Sequence, residues 1–234
     1  MWTEYHRNDK INDVNDEMQL LMRSLFNSIL DVTEDFLYWD SSKLGEESIL
    51  YVERAFAYEL YFRWNLNKDV ENVPFFENRN KYKINAEIRK DFIEKITPKT
   101  GYAYPDMVLH GGNETDLNYI VCEIKRKKTT ESKENSITDD LNKIGFFLRD
   151  DLNTIYQDVE WSGYRYGVFI LTDKYWEHDN FRLKPVDIID KIELSKIDVR
   201  EDLSSKIICI IYDGKSLQYE NLKNIMKNKN KKVL

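Results

Sequence analysis

The apolar run from Tyr119 to Lys125 constrains the fold most, because it has the composition of a buried strand yet carries an acid and an amine. Side chains alternate across a strand, so Glu123 and Lys125 share one face with Tyr119 and Val121. Buried charges are costly unless they are paired or bind a metal ion. The run therefore predicts a strand that holds two charged groups in a functional site. The alternative is a surface strand that ends in the charged tip 125–128.

A second strand-like run, from Tyr104 to Leu109, contains the sequence Pro105-Asp106. Asp106 precedes Glu123 by 17 positions, and a polar turn at 111–113 joins the two runs. Two carboxylates and an ammonium group on adjacent strands can hold a hard divalent cation beside a phosphate.

Composition limits the class of protein. With 234 residues, of which 41% are hydrophobic, the chain can form one core of ordinary size. No apolar run approaches the roughly 20 residues that span a bilayer, and the first ten residues lack the apolar segment of a secretory signal. Cys122 and Cys209 lie in apolar runs without metal-binding spacing, which suits a reducing compartment. We therefore expect a cytoplasmic protein with no membrane association.

The net charge of −7 argues against a protein that coats nucleic acid through bulk charge. It is compatible with an enzyme that binds nucleic acid through a local cleft of basic residues and metal.

Hydrophobic periodicity predicts helices around the strands. Apolar residues recur at spacings of three or four between residues 11 and 40, and a second helix follows from about 46 to 66. Ser136 and Asp139 resemble a capping box at the start of a helix after the Glu123 strand. Further helices are expected near 186–194 and over 216–232, the latter fraying into a lysine-rich end.

Five strands are expected. Residues 81–89 alternate as in a half-exposed strand, and the Asp106 and Glu123 strands follow it with short links, which predicts an antiparallel meander. The runs 164–171 and 206–212 are continuously apolar, as in strands covered on both faces.

Several segments resemble those of the PD-(D/E)xK, or restriction-endonuclease-like, nuclease superfamily, and in particular a group of small, poorly characterised bacterial members. The resembling segments are Glu53-Arg54-Ala55, Pro105-Asp106-Met107-Val108-Leu109-His110, Glu123-Ile124-Lys125, Asp139-Asp140-Leu141-Asn142-Lys143 and Gly163-Tyr164-Arg165-Tyr166-Gly167.

The resemblance implies an α/β fold whose core runs helix, three-strand meander, helix, strand, with a central mixed sheet flanked by helices. It covers residues 46–172 of a single domain that spans 1–234. Residues 1–45 are then a helical addition, and residues 173–234 are an addition that contains helices and a strand. An insertion between Ile88 and Tyr104 departs from the group.

The resemblance also implies metal-assisted phosphodiester hydrolysis. Asp106 and Glu123 would bind Mg²⁺ or Mn²⁺, the Ile124 carbonyl would be a further ligand, and Lys125 would position or activate the attacking water. On the preceding helix, periodicity permits either Glu53 or Glu59 near the apolar arc, whereas the resemblance favours Glu53 as a further catalytic acid and metal ligand.

Three other groups of charged or titratable residues lie near these segments in the sequence. Asp140 and Lys143, three residues apart, are expected to form a solvated ion pair on their helix, although the resemblance allows Lys143 a phosphate contact. Arg126, with 127–128, is expected either in a solvated loop or on a phosphate backbone. His110 is expected to serve packing.

The motifs and the resemblance leave three alternative functions. The first is a metal-dependent nuclease acting on DNA, as a defence or restriction-type effector. The second is a non-catalytic nucleic-acid-binding or assembly subunit on the same fold. The third is a nuclease that is active only with a protein partner or as a homo-oligomer.

Overall fold

The computed structural model describes residues 2–37, 47–70, 83–86, 105–111, 118–126, 137–152, 162–172, 184 and 188–233. For a few of these, including Glu53, only the backbone is described. The predicted loop 91–101 and the predicted helix cap at Ser136 lie outside these ranges.

One mixed sheet of seven strands forms the centre of the described structure, in the spatial order β1-β7-β6-β5-β4-β3-β2. Strands β4, β5 and β6 run parallel, and the outer pairs on each side are antiparallel. The strands are β1 (Thr3–Tyr5), β2 (Lys83–Ala86), β3 (Met107–His110), β4 (Asn118–Arg126), β5 (Tyr166–Thr172), β6 (Ile207–Tyr212) and β7 (Leu217–Asn221).

Five α-helices are described, and they cover both faces of the sheet. They are α1 (Asp16–Leu30), α2 (Glu47–Val70), α3 (Ile137–Phe147), α4 (Glu201–Ser204) and α5 (Leu222–Val233). Apolar residues of α1 and α2 join one hydrophobic core, and those of α3, α4 and α5 join a second core on the opposite face. The result is an α/β fold with helices on both sides of a mixed sheet.

The predicted meander is confirmed, because β2, β3 and β4 pair antiparallel in succession. Helix α3 then connects β4 to its parallel neighbour β5. The apolar runs of β5 and β6 are buried along their whole length, as expected for strands covered on both faces.

Two predicted helices are wrong in extent. Between residues 11 and 37 only Asp16–Leu30 is α-helical, because the Asn15 side chain accepts a hydrogen bond from the Met18 amide and caps its start. Near 186–194 the described residues contain only a helical turn at Ile188 and a 3₁₀ turn at Leu194–Lys196.

The N-terminal addition contributes a strand as well as a helix, so its description as helical is incomplete, and the C-terminal addition contributes two strands where one was expected. β1 pairs with β7, and β7 pairs with β6. The helix predicted over 216–232 is therefore wrong in its first part, where Leu217 and Tyr219 alternate into the core. The Asn221 side chain then accepts a hydrogen bond from the Asn224 amide and starts α5. The lysine-rich end stays helical, and Lys229 Nζ donates to the Ile189 carbonyl at 2.7 Å.

Close packing at Gly167 of β5 fixes the distance between α3 and the sheet. A Cβ atom at this position would lie 2.1 Å from the Ile144 Cγ2 atom of α3. Only glycine allows the helix to approach this far, and the approach lowers the first turns of α3 onto the charged residues of β4.

Candidate functional site

Strands β3 and β4 place Asp106 and Glu123 next to each other. Met107 pairs with Cys122 and Val108 with Val121, so continuing this register by one residue sets Asp106 opposite Glu123. Directly opposed residues of an antiparallel pair point to the same face. Val108 and Val121, two residues from Asp106 and Glu123 respectively, belong to the core beneath α3, which puts both acids on the α3 side of the sheet.

The backbone of β4 holds the Asp106 carboxylate. Asp106 Oδ2 accepts a hydrogen bond from the Ile124 amide at 2.7 Å. Burial raises the pKa of Asp106 above its ordinary value, although the Ile124 hydrogen bond and the Lys143 charge oppose the rise. Burial therefore favours the binding of a proton or a cation by the Asp106 carboxylate.

Glu123 is the most deeply buried acid of the site, with 3% of its surface exposed. Its Oε2 atom lies 2.7 Å from Lys143 Nζ, and its Oε1 atom is buried without a hydrogen-bond partner. Burial, and secondarily the nearby Asp106 charge, raise the pKa of Glu123 well above its ordinary value. An unpartnered buried carboxylate oxygen is rare in folded proteins and requires an explanation.

Lys125 forms a second buried pair with helix α3. Its Nζ atom lies 2.7 Å from Asp140 Oδ2, an oxygen that accepts no hydrogen bond of regular geometry. Two ion pairs, Glu123 with Lys143 and Lys125 with Asp140, thus cross from one face of β4 to the first two turns of α3.

The expected solvated pair between Asp140 and Lys143 is wrong. Both side chains are largely buried, with 16% and 17% exposed, and each pairs with a strand residue instead of with its helical neighbour. From the sequence, Lys143 was predicted to contact at most a phosphate group, and Asp140 was given no role in the site. A run of charges at the start of the helix that follows a charged strand was the available signal.

Of the two candidate acids of α2, the side chain is described for Glu59 and not for Glu53. Glu59 accepts a hydrogen bond from Arg63 Nε at 2.6 Å, one helical turn away. Phe56, Leu60 and Trp64 of α2 pack in the core on the face opposite to α3. The Glu53 side chain lies outside the described residues, so its assignment as a site residue stays a prediction, as does the role of the Ile124 carbonyl.

At the end of β4 the Arg126 side chain is buried, with 4% of the residue exposed, which is the opposite of a solvated loop position. It pairs in register with Thr172, whose buried Oγ1 atom lacks a hydrogen-bond partner. Residues 127 and 128 lie outside the described part of the chain. On β3, His110 Nε2 lies 2.6 Å from Asn85 Nδ2, so His110 is tied to the neighbouring strand.

Asp106 and Glu123 fit a hard divalent cation in the nature of their donors, which are carboxylate oxygens. The unpartnered Glu123 Oε1 atom adds to this fit. Among the residues that the structure describes, however, no group of three or more His, Cys, Asp or Glu side chains is arranged to bind a metal. A complete ligand shell would need further groups, of which Glu53 is the predicted one.

Comparisons with known proteins give no identification of this site. No protein-family model matches the chain, no curated protein matches it, and no solved structure matches it. Of the helices that are described, none is both long and apolar enough to cross a membrane.

Proposed function

We propose that this protein is a metal-dependent nuclease that hydrolyses phosphodiester bonds in DNA, as a defence or restriction-type effector. The observation that carries the proposal is the position of Asp106, directly before β3, next to Glu123 and Lys125 on one face of β4, with a buried Glu123 oxygen left unpartnered. Asp, Glu and Lys side chains are rarely buried, and clusters of buried titratable groups are typical of functional sites.

Each residue has a role that matches its contacts. Asp106, fixed by the Ile124 amide, and Glu123 would hold Mg²⁺ or Mn²⁺, with the Ile124 carbonyl and Glu53 as further ligands. The cation would supply charge stabilisation at the scissile phosphate. Lys125, held by Asp140 beneath α3, would orient the attacking water or neutralise charge that develops on the phosphate.

Lys143 supplies further positive charge beside the acids. Phosphate contacts by such side chains position a nucleic acid without reading its sequence. The acidic balance of the whole chain then limits non-specific adhesion, and the local basic groups provide binding. A cytoplasmic location is part of the proposal, because both cysteines are buried free thiols.

A second candidate function is a non-catalytic nucleic-acid-binding or assembly subunit. The observation that favours it is that Lys125 and Lys143 each pair with a carboxylate across the contact between β4 and α3. In that case the charged residues would serve to fix α3 on the sheet.

Cleavage assays separate the two functions. The purified protein is incubated with plasmid DNA, single-stranded DNA and RNA, each with Mg²⁺, Mn²⁺ or a chelator. Asp106→Asn, Glu123→Gln and Lys125→Gln should abolish metal-dependent cleavage. Lys196→Gln, which changes an exposed lysine that pairs with Glu193, should not. Wild-type levels of cleavage by Asp106→Asn would disprove the nuclease assignment.

An inert wild-type protein that still binds Mn²⁺ would favour a partner-dependent nuclease, which affinity capture with the intact protein would then test. A protein that binds neither metal nor nucleic acid would favour a structural role for the charged residues.

A further inference from the structure

The ammonium group of Lys143 contacts one candidate metal ligand, Glu123, and its charge also acts on the other, Asp106. Its Nζ atom is 2.7 Å from Glu123 Oε2. Among charged side chains, Lys143 is also the one that most lowers the pKa of Asp106 and of Glu123. The same positive charge therefore acts on both acids.

This ammonium group has little freedom to share the site with another cation. Lys143 is only 17% exposed on the side-chain surface, and Glu123 beneath it is almost fully enclosed. Like charges repel strongly at short range when little water lies between them. A divalent ion bound by Asp106 and Glu123 would consequently push the lysine away.

We propose that Lys143 occupies the cation position of the metal-free site, and that a divalent cation must displace its ammonium group from Glu123 in order to bind. The inference rests on the proposed function, because the competing ion is the one that the nuclease would require. Lys143 then sets the cation concentration at which the site fills. It also keeps Glu123 from remaining a buried, uncompensated charge when no metal is present.

Lys125 provides a matched comparison within the same site. It is also a buried lysine with a carboxylate at 2.7 Å, and that carboxylate belongs to Asp140 of α3. Lys125→Gln and Lys143→Gln remove the same charge from neighbouring positions. A general electrostatic effect would change metal affinity similarly in both variants. Direct competition would instead raise the affinity mainly in Lys143→Gln.

The test is titration of Mn²⁺ into the metal-free wild type and both variants, followed by calorimetry. We expect Lys143→Gln to bind Mn²⁺ on the order of tenfold more tightly than the wild type, since a competing charge has been removed. Lys125→Gln should change the affinity by less than about threefold, because Lys125 pairs with Asp140 and its charge acts on Asp106 more weakly than that of Lys143. Unchanged or weaker binding by Lys143→Gln overturns the inference, as does an equal gain in both variants.

Failure of the inference is distinguishable from failure of the proposed function. If the wild type and Lys143→Gln bind Mn²⁺ equally well, the metal site stands and only the competition is disproved. If neither binds Mn²⁺, the metal site itself is disproved and the inference falls with it.

A labelling experiment on the wild type covers the case in which Lys143→Gln does not fold. Amine acetylation, read by mass spectrometry, should modify Lys143 several times faster with Mg²⁺ present than with a chelator. Lys229, whose ammonium group binds the Ile189 carbonyl, is the internal control and should react at the same rate in both. A Lys143 rate that does not respond to Mg²⁺ overturns the inference.

Discussion

The Lys143 Nζ atom of α3 lies 2.7 Å from the Glu123 Oε2 atom of β4, in a bond that joins the helix to the sheet. The Lys125–Asp140 pair makes a second such connection two strand residues farther on. A buried pair of this kind brings little net stability compared with apolar residues, but breaking it is costly. The two pairs are therefore expected to respond sharply to single substitutions.

Lys143→Met should destabilise the metal-free protein by about 3–5 kcal/mol, because it leaves Glu123 buried without its cation. The double variant Glu123→Gln/Lys143→Met should recover a large part of this loss, since no uncompensated charge remains. Urea denaturation at pH 7 measures both. Lys10→Met is the control, because Lys10 and Asp16 form an exposed pair worth about 0–1 kcal/mol. A loss from Lys143→Met as small as that of the control would contradict the prediction.

Asp106→Asn should stabilise the metal-free protein at neutral pH and leave it unchanged in acid. Burial raises the folded-state pKa of Asp106 above the unfolded value of about 4. The folded wild type therefore holds a proton that the unfolded chain has released, and it loses stability as pH rises from about 4 through the folded pKa. Asparagine has no such penalty and can still accept the Ile124 hydrogen bond. The difference in unfolding free energy between the two proteins should grow with pH.

Asp202→Asn is the control for this pH dependence, with the opposite sign. The Arg200 hydrogen bond lowers the pKa of Asp202, so the wild-type pair stabilises the protein above the unfolded pKa and loses that effect as pH falls. If Asp106→Asn follows the same trend as Asp202→Asn, burial does not control the Asp106 carboxyl group.

Local sequence patterns were sufficient to predict the Asp106 and Glu123 strands and their meander. Each run has enough residues for its alternation to be read, and each is bounded by turn-forming residues. The strand β1 was missed because it contains only three residues, and β7 was missed because it leads directly into the helix α5. β1 pairs with β7, which lies near the other end of the chain, and no local period reveals such a pairing.

The partners of Lys143 and Asp140 could not be predicted for a related reason. A spacing of three residues on a helix indicates an intrahelical pair. The spacing contains no information about the distance between the helix and the sheet. The distance is set by Gly167 on β5, more than twenty residues later in the chain, through its contact with Ile144. The site thus depends on a tertiary contact, although its acids and amines are evident in the sequence.

Gly167→Ala should destabilise the protein by about 1–3 kcal/mol, because the added methyl group overlaps the Ile144 Cγ2 atom. Helix α3 must then move outward and carry Asp140 and Lys143 away from β4. In the double variant Gly167→Ala/Ile144→Leu, leucine lacks the methyl branch on Cβ, so part of the loss should be recovered. A urea double-mutant cycle measures the coupling, and strictly additive effects would show that the two positions do not meet.

Glu53→Gln should weaken Mn²⁺ binding by about tenfold or more, because affinity for a hard cation depends on the number of charged oxygen ligands. Glu59→Gln is the matched control on the same helix. Its carboxylate already binds Arg63 Nε one turn away, so the change should leave metal affinity unaltered. Calorimetric titration of both variants decides between the two glutamates. Weaker binding in Glu59→Gln, with normal binding in Glu53→Gln, would reverse the assignment that the Glu53-Arg54-Ala55 segment suggests.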